Sequence, residues 1–211
     1  MNDRNEFDAT GPNPAKLMLL VSVAKEAIVI GLSANEELPR KELFGPDQVL
    51  LLDLWGKLRE PGAVFADITW VGFTGAQVAD EPARAFDTIV RARDAALALV
   101  EEAAMTGREL HGWEVDRAAR NVLEQSGYGA HILHRTGHSL GETVHGNGVH
   151  LDDYETHDDR RILPGTGFTI EPGLYFDTFG VRTEINVFRR ERDAVVSGPR
   201  QMTLVLLGTG A

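Results

Sequence analysis

VLLLDLWGKLREPGAVFADITWVGF, residues 49–73, consists of two runs rich in branched and aromatic side chains, VLLLDLWGK (49–57) and AVFADITWVGF (63–73), parted by Leu58-Arg59-Glu60-Pro61-Gly62. The runs have strand composition and the residues between them form turns, so the stretch predicts a β-hairpin. Each arm carries one acid, Asp53 and Asp67, fourteen positions apart and symmetric about Glu60. That symmetry places them nearly opposite each other across the two strands. Both stand inside apolar runs, where an unpaired carboxylate is costly, and like charges facing across strands repel.

A second hairpin repeats the pattern. TGFTIEPGLYF (166–176) and GVRTEINVFRR (180–190) read as strands about an FDTFG turn, and they carry Glu171 and Glu184, thirteen apart and symmetric about Asp177-Thr178. Two readings of the four acids stay open. On one, each points to the solvent face of its strand, as alternate residues do. On the other, the hairpins converge and their four negative charges balance two divalent cations, an arrangement suited to two-metal hydrolysis. The second reading calls for a neutral nitrogen ligand, and HRTGHSLGETVHGNGVH (134–150) supplies four of the seven histidines.

Between the hairpins, residues 81–107 carry Phe86, Ile89, Val90, Ala96, Leu97 and Val100 at helical spacing and end at Gly107. Residues 113–129 do the same with Val115, Ala118, Ala119, Val122 and Leu123, with Gly127 as the stop signal. QMTLVLLG (201–208) reads as a last strand. Strands, helices, then strands predict an α+β domain: a mainly antiparallel sheet with helices on one face.

With 211 residues, 43% of them apolar, the chain is long enough for one sizeable core. Residues 1–16 are polar and rich in Gly, Pro and Asn, and read as a disordered leader; 17–211 read as a single domain. The apolar stretch 17–33 is interrupted by Lys25 and Glu26, whereas a membrane span needs about 20 mostly apolar residues. Two short buried strands and a cytoplasmic protein are expected instead. Thirty-two acidic against twenty-one basic residues give a net charge of −11, which argues against nucleic-acid and anionic-membrane partners. The absence of cysteine excludes disulfide scaffolds, thiolate metal sites and cysteine nucleophiles.

Six motifs, in order, carry a resemblance: LLDLWGK, FADIT, HRTGHSLG, VHGNG, FTIEPGLY and GVRTE. From about Val49 to Gln201 the chain resembles the M24-type metallopeptidases, the family of methionine aminopeptidase, aminopeptidase P and prolidase, whose fold is the curved pita-bread (creatinase) fold. HRTGH and VHGNG resemble the aminopeptidase P and prolidase branch, which implies short peptide substrates containing proline, cut at Xaa-Pro bonds. The resemblance implies that Asp53 chelates one metal ion, that His138 and Glu171 bind another, and that Asp67 and Glu184 bridge the two. A shared water or hydroxide is then the nucleophile. The ions are Mn²⁺, Co²⁺, Zn²⁺ or Fe²⁺, among which an oxygen-rich set with one imidazole does not decide. By the same resemblance His145 contacts substrate near the reacting carbonyl, His134 lines the leaving-side pocket, and Arg182 helps position the site. Arg182 has an equally weighted structural use, pairing with Glu184 or a neighbouring acid. His111, His131, His150 and His157 match no functional position.

The match also has gaps. The family's substrate-binding histidine upstream of the first aspartate has no counterpart, since no histidine precedes His111. Its region reads SANEELPRKELFGPDQ, with Arg40 as a charged donor. Reduced or altered peptidase activity is therefore expected. Only forty-eight residues precede Val49, and they read as stranded, where the family opens with amphipathic helices. On that account the fold is taken as N-terminally shortened, and a homodimer is expected to cover the apolar surface left bare. Two further hypotheses stand beside the peptidase: a non-catalytic peptide-binding or scaffold protein on the same fold, and metal-dependent chemistry on a non-peptide substrate.

Overall fold

The arms of the opening hairpin are β1 (Val49–Gly56) and β2 (Ala66–Phe73), paired antiparallel in a computed structural model that describes residues 46–208. The expected leader, the strands expected within 17–33, and Arg40 lie outside the described residues. The register differs from the symmetric expectation. Asp53 pairs with Thr69 and Asp67 with Trp55, so the two aspartates are diagonal neighbours and do not face each other. The turn explains the shift: Ala63 N–H donates to the Glu60 carbonyl at 3.1 Å, and Gly62 takes φ 76° behind Pro61. Proline followed by a glycine at positive φ suits a tight turn centred on Pro61-Gly62, one residue beyond Glu60. Because a slip of two residues preserves the face, both carboxylates still point the same way.

Two helices follow. Helix α1 (Asp80–Thr106) ends at Gly107, which adopts the left-handed conformation at φ 73°. Helix α2 (Gly112–Gln125) starts with the Glu114 carboxylate accepting from the His111 N–H at 2.8 Å. It stops four residues short of the expected end, where Gly127 turns at φ 85° and the Tyr128 N–H bonds back to Leu123. Phe86, Ile89, Leu97 and Val100 of α1 share one core with Val115 and Leu123 of α2 and with Phe168, Ile170 and Val187 from the strands beneath. None of the described helices is long and apolar enough to cross a membrane.

Each arm of the second hairpin is broken at its middle. β4 (Gly167–Ile170) pairs with β7 (Ile185–Arg189), and β5 (Gly173–Tyr175) pairs with β6 (Gly180–Arg182). Pro172 has no N–H to give to a ladder, so the pairing lapses there and resumes in the same register. Glu171 and Glu184 stand opposite each other in that gap. Freed from the ladder, the Glu171 N–H donates to the Thr136 carbonyl at 2.7 Å, and the Glu184 N–H donates to the Thr69 carbonyl of β2 at 3.3 Å. The break in the strands is what joins the second hairpin to the first.

β3 (Ser139–Leu140) and β8 (Ala194–Ser197) flank β4 and β7 in the order β3-β4-β7-β8; β8 is a strand that sequence reading missed. Of the strand expected over 201–208, only β9 (Val205–Leu206) forms, and it runs parallel to β2. The result is α+β, with small, mainly antiparallel sheets carrying the acids.

Candidate metal centre

Strand alternation puts Asp67 and Thr69 of β2 on one face, and the gap in the second hairpin aims Glu171 and Glu184 at that face. The ligand atoms of Asp67, His138 and Glu184 all lie within 4.8 Å of one another, and all three residues are buried. Glu171 joins through His138, whose Nε2 is 3.4 Å from Glu171 Oε1 and 3.4 Å from Asp67 Oδ2. Asp53 reaches the group through Arg182. The guanidinium is ion-paired to Asp53, lies 3.7 Å from Glu171 Oε2, and donates through Nε to Thr69 Oγ1 at 3.1 Å. Of the alternatives expected for Arg182, pairing with neighbouring acids is what is seen: its ion-pair partners are Asp53 and Glu171.

Two threonines fix the acids. Thr69 Oγ1 donates to Glu184 Oε2 at 2.7 Å, and Thr169 Oγ1 donates to Glu171 Oε1 at 3.1 Å while accepting the His138 N–H at 2.9 Å. Asn186 Oδ1 takes the Asp67 N–H at 2.9 Å. None of these was singled out in the sequence. Thr69, Thr169 and Asn186 each lie two positions from a candidate acid, so strand alternation was the signal that could have found them.

Burial raises the Asp53 carboxyl to about 6, even though Arg182 pulls it down. Glu184 stands well above the usual carboxylate range because it is buried beside Glu171 and Asp67. Burial alone would depress His138, but Asp67 and Glu171 outweigh it and raise the imidazole above its ordinary value. Its Nδ1 donates to the Ser139 carbonyl at 3.1 Å, which leaves Nε2 facing the acids. Among the described residues, Asp67 Oδ1 and Glu184 Oε1 are buried with no hydrogen-bond partner. Such orphaned oxygens are costly unless something positive meets them. Hard and borderline divalent cations suit a set of carboxylates with one imidazole, so these residues fit the metal that the fold family implies.

His145 is exposed and packs edge-on against His138, ring centroids 4.3 Å apart. His134 Nδ1 donates to the Arg135 carbonyl at 2.6 Å, and its Nε2 accepts from the Tyr175 hydroxyl at 2.8 Å; Tyr175 in turn accepts from Arg182 Nη1 at 3.5 Å. Tyr175 is another participant that sequence reading passed over. The remaining histidines have local partners. His111 precedes α2, His131 stacks on Phe176 at 4.1 Å, His150 Nδ1 accepts the Ser139 N–H at 3.1 Å, and His157 pairs with Asp153 at 2.7 Å.

The converging acids, the single well-placed imidazole and the broken arms of the second hairpin compose a carboxylate–imidazole centre on a pita-bread architecture. Residues 18–191 match the model of metallopeptidase family M24, and the chain belongs to that family. Among curated relatives, the chain is 40% identical over 83 residues to a probable dipeptidase PepE of Mycobacterium tuberculosis, which is 39% of this chain and 21% of that one. It is 30% identical over 154 residues to an Xaa-Pro dipeptidase of Lactobacillus helveticus, 72% of this chain and 38% of the relative. Among solved structures, dipeptidase PepE from Mycobacterium ulcerans superposes with a TM-score of 0.66 at 28% identity, covering 76% of this chain and 40% of that one. A prolidase from Thermococcus sibiricus superposes with a TM-score of 0.64 at 25% identity, covering 81% and 43%. The chain thus spans between 21% and 43% of the length of these relatives.

Proposed function

We propose that the chain is a divalent-metal-dependent peptidase that hydrolyses short peptides at Xaa-Pro bonds, using two ions per chain drawn from Mn²⁺, Co²⁺, Zn²⁺ or Fe²⁺. Asp53 would hold one ion and His138 and Glu171 the other, with Asp67 and Glu184 shared between them. One observation carries the reading: Asp67, His138 and Glu184 each offer a buried ligand atom within 4.8 Å of the other two, and both acids keep an oxygen with no hydrogen-bond partner among the described residues. Bound divalent cations supply Lewis acidity there and bring the ionisation of water into the neutral range.

The chain's own groups do the rest. His145, exposed beside His138, donates to the substrate carbonyl as negative charge builds on it. His134 and Tyr175 line the leaving side, with the tautomer of His134 fixed by its bond to the Arg135 carbonyl. Glu171, between His138 and Arg182, accepts a proton and returns it to the leaving amine. Proline-containing substrates are supported by kinship with an Xaa-Pro dipeptidase and a prolidase. The same reading carries a cytoplasmic homodimer built from a single domain over residues 17–211. Exposed Leu58, Val64 and Leu206 offer apolar surface to a second copy, and light scattering reads the mass.

Lack of any histidine before His111 favours a second reading, a peptide-binding protein that keeps the fold and turns over slowly or not at all. A panel of Xaa-Pro dipeptides and tripeptides with added Mn²⁺, Co²⁺ or Zn²⁺, run beside Glu171→Ala, separates the two. Hydrolysis by the wild type that is absent from Glu171→Ala supports the peptidase, at a rate below that of histidine-bearing relatives. Peptide binding without hydrolysis under every metal supports the second reading.

A further inference from the structure

Helix α2 buries an acid where its periodicity calls for an apolar residue. Asp116 is fully inaccessible on the face that also carries Val115, Ala119 and Leu123. A lone carboxylate in such a place costs several kcal/mol unless it is hydrogen-bonded, on the order of what a small domain has in total. Asp116 is bonded through both oxygens, to two backbone amides from different segments. Oδ1 accepts the Thr136 N–H at 2.8 Å, and Oδ2 accepts the Asp153 N–H at 2.9 Å. Arg120, one helical turn on, sets Nη1 3.8 Å from Asp116 Oδ2 and donates to the Asp153 carbonyl at 3.1 Å.

Thr136 is the residue through which this reaches the metal centre. Its N–H is shared between Asp116 Oδ1 at 2.8 Å and the Leu151 carbonyl at 3.1 Å, and its own carbonyl accepts the Glu171 N–H at 2.7 Å. It lies midway between His134 and His138. The next residue, Gly137, exchanges backbone hydrogen bonds with Leu151 at 3.0 and 3.2 Å, and it approaches the Thr169 carbonyl so closely that a Cβ would overlap the oxygen. Backbone from 136 to 138 is therefore held by Leu151, by Thr169 and by the acid on α2.

We propose that Asp116 is a positioning residue for the metal centre. Through the Thr136 amide it fixes the segment from which His134 and His138 project, and through the Thr136 carbonyl it sets the backbone of Glu171. This rests on the metal reading given above, and the experiment keeps the two apart.

Asp116→Asn preserves size but turns an amide NH₂ toward one of the two N–H donors, so one bond becomes a donor facing a donor. The wild-type chain and Asp116→Asn are titrated with Co²⁺ alone by calorimetry and by the visible absorption of the bound ion. Leu123→Ala, two turns along the same buried face, serves as a control for loss of stability. Asp116→Asn is expected to bind Co²⁺ about tenfold more weakly, with an altered absorption envelope, as happens when a group orienting a ligand is lost. Leu123→Ala keeps both properties despite its lower Tm. Should Asp116→Asn not fold, Asp116→Glu, which keeps the charge and displaces the amide contacts, is read in the same way. Equal Co²⁺ affinity in wild type and the Asp116 variant overturns the proposal, as does an equal loss in Leu123→Ala. A wild type that takes up no Co²⁺ overturns the metal reading and this inference with it.

Discussion

Arg182 of β6 closes on Asp53 of β1 across 129 residues of chain, and the same guanidinium lies 3.7 Å from Glu171. Both partners are largely buried, with side chains 17% and 16% exposed. The arginine is thus the fixed positive charge among four carboxylates. Replacing it by methionine leaves Asp53 and Glu171 facing each other without a countercharge. Arg182→Met is expected to lose about 3 kcal/mol in the absence of added metal, the cost of leaving a buried charge unpaired. Added Mn²⁺ then raises the Tm of the variant by more than it raises that of the wild type. Equal Mn²⁺ increments in a thermal melt would show that Arg182 and the cation do not share a role.

Glu184 is 1% exposed and has one oxygen without a partner among the described residues. It is costly to the fold and useful to the site, so stability and metal binding should respond to it in opposite senses. Glu184→Gln relieves a buried carboxylate of its neighbours and is expected to match or exceed the wild-type Tm without metal, by up to about 2 kcal/mol. The Mn²⁺-dependent rise in Tm is expected to vanish. A variant less stable than wild type in chelator, with an intact Mn²⁺ increment, would count against the assignment.

Gly137 and Gly141 flank His138 but have different reasons to be glycine. A Cβ at 137 would overlap the Thr169 carbonyl oxygen, whereas at 141 the nearest atom is 3.6 Å away, an ordinary contact. Gly137→Ala is expected to cost about 3 kcal/mol or more, because two backbone segments must part. Gly141→Ala changes stability by less than about 1 kcal/mol. Urea melts of the two variants test the difference, and similar midpoints would refute it.

Sequence reading reached the elements whose signal is local. The two helices and the first hairpin follow from apolar spacing and from Pro61-Gly62. The register was misjudged by two residues because midpoint symmetry ignores turn type, and the acids survived the error because strand faces repeat every two residues. Strand β8 was missed because AVVS is a short run in polar surroundings, and the broken arms were missed because Pro172 was read as composition and not as a lost donor. In the site, Asp53, Asp67, Glu171 and Glu184 were visible as charges out of place, and His138 was picked out from four clustered histidines only by the resemblance of HRTGHSLG to the family. Tyr175 and Asp116 were not, because their importance lies in partners 41 and 20 residues away. A tyrosine in a strand and an aspartate in a helix look ordinary until the chain has folded.

Asp152 gives the fold an acid limit. Burial alone would raise its carboxyl, but N–H groups of Tyr154, Thr156 and Glu155 and the Thr156 hydroxyl all donate to it and hold it below its ordinary 3.8. A carboxyl depressed in the folded state contributes stability that is complete above the unfolded value and is lost as pH falls through the folded one. The stability difference between wild type and Asp152→Asn is therefore expected to be about 2 kcal/mol at pH 6 and to shrink toward zero below pH 3.8. A difference independent of pH across that range, in denaturant melts from pH 6 downward, would show that the carboxylate charge is not what holds the 152–156 turn.

Metal content of the purified full chain tests the central claim most directly. After reconstitution with Mn²⁺ and gel filtration, mass spectrometry is expected to find two equivalents per wild-type chain and fewer than one in Glu184→Gln, since Glu184 is assigned as a ligand to both ions. A wild-type chain that emerges without metal, or a Glu184→Gln variant that retains two equivalents, would contradict the account.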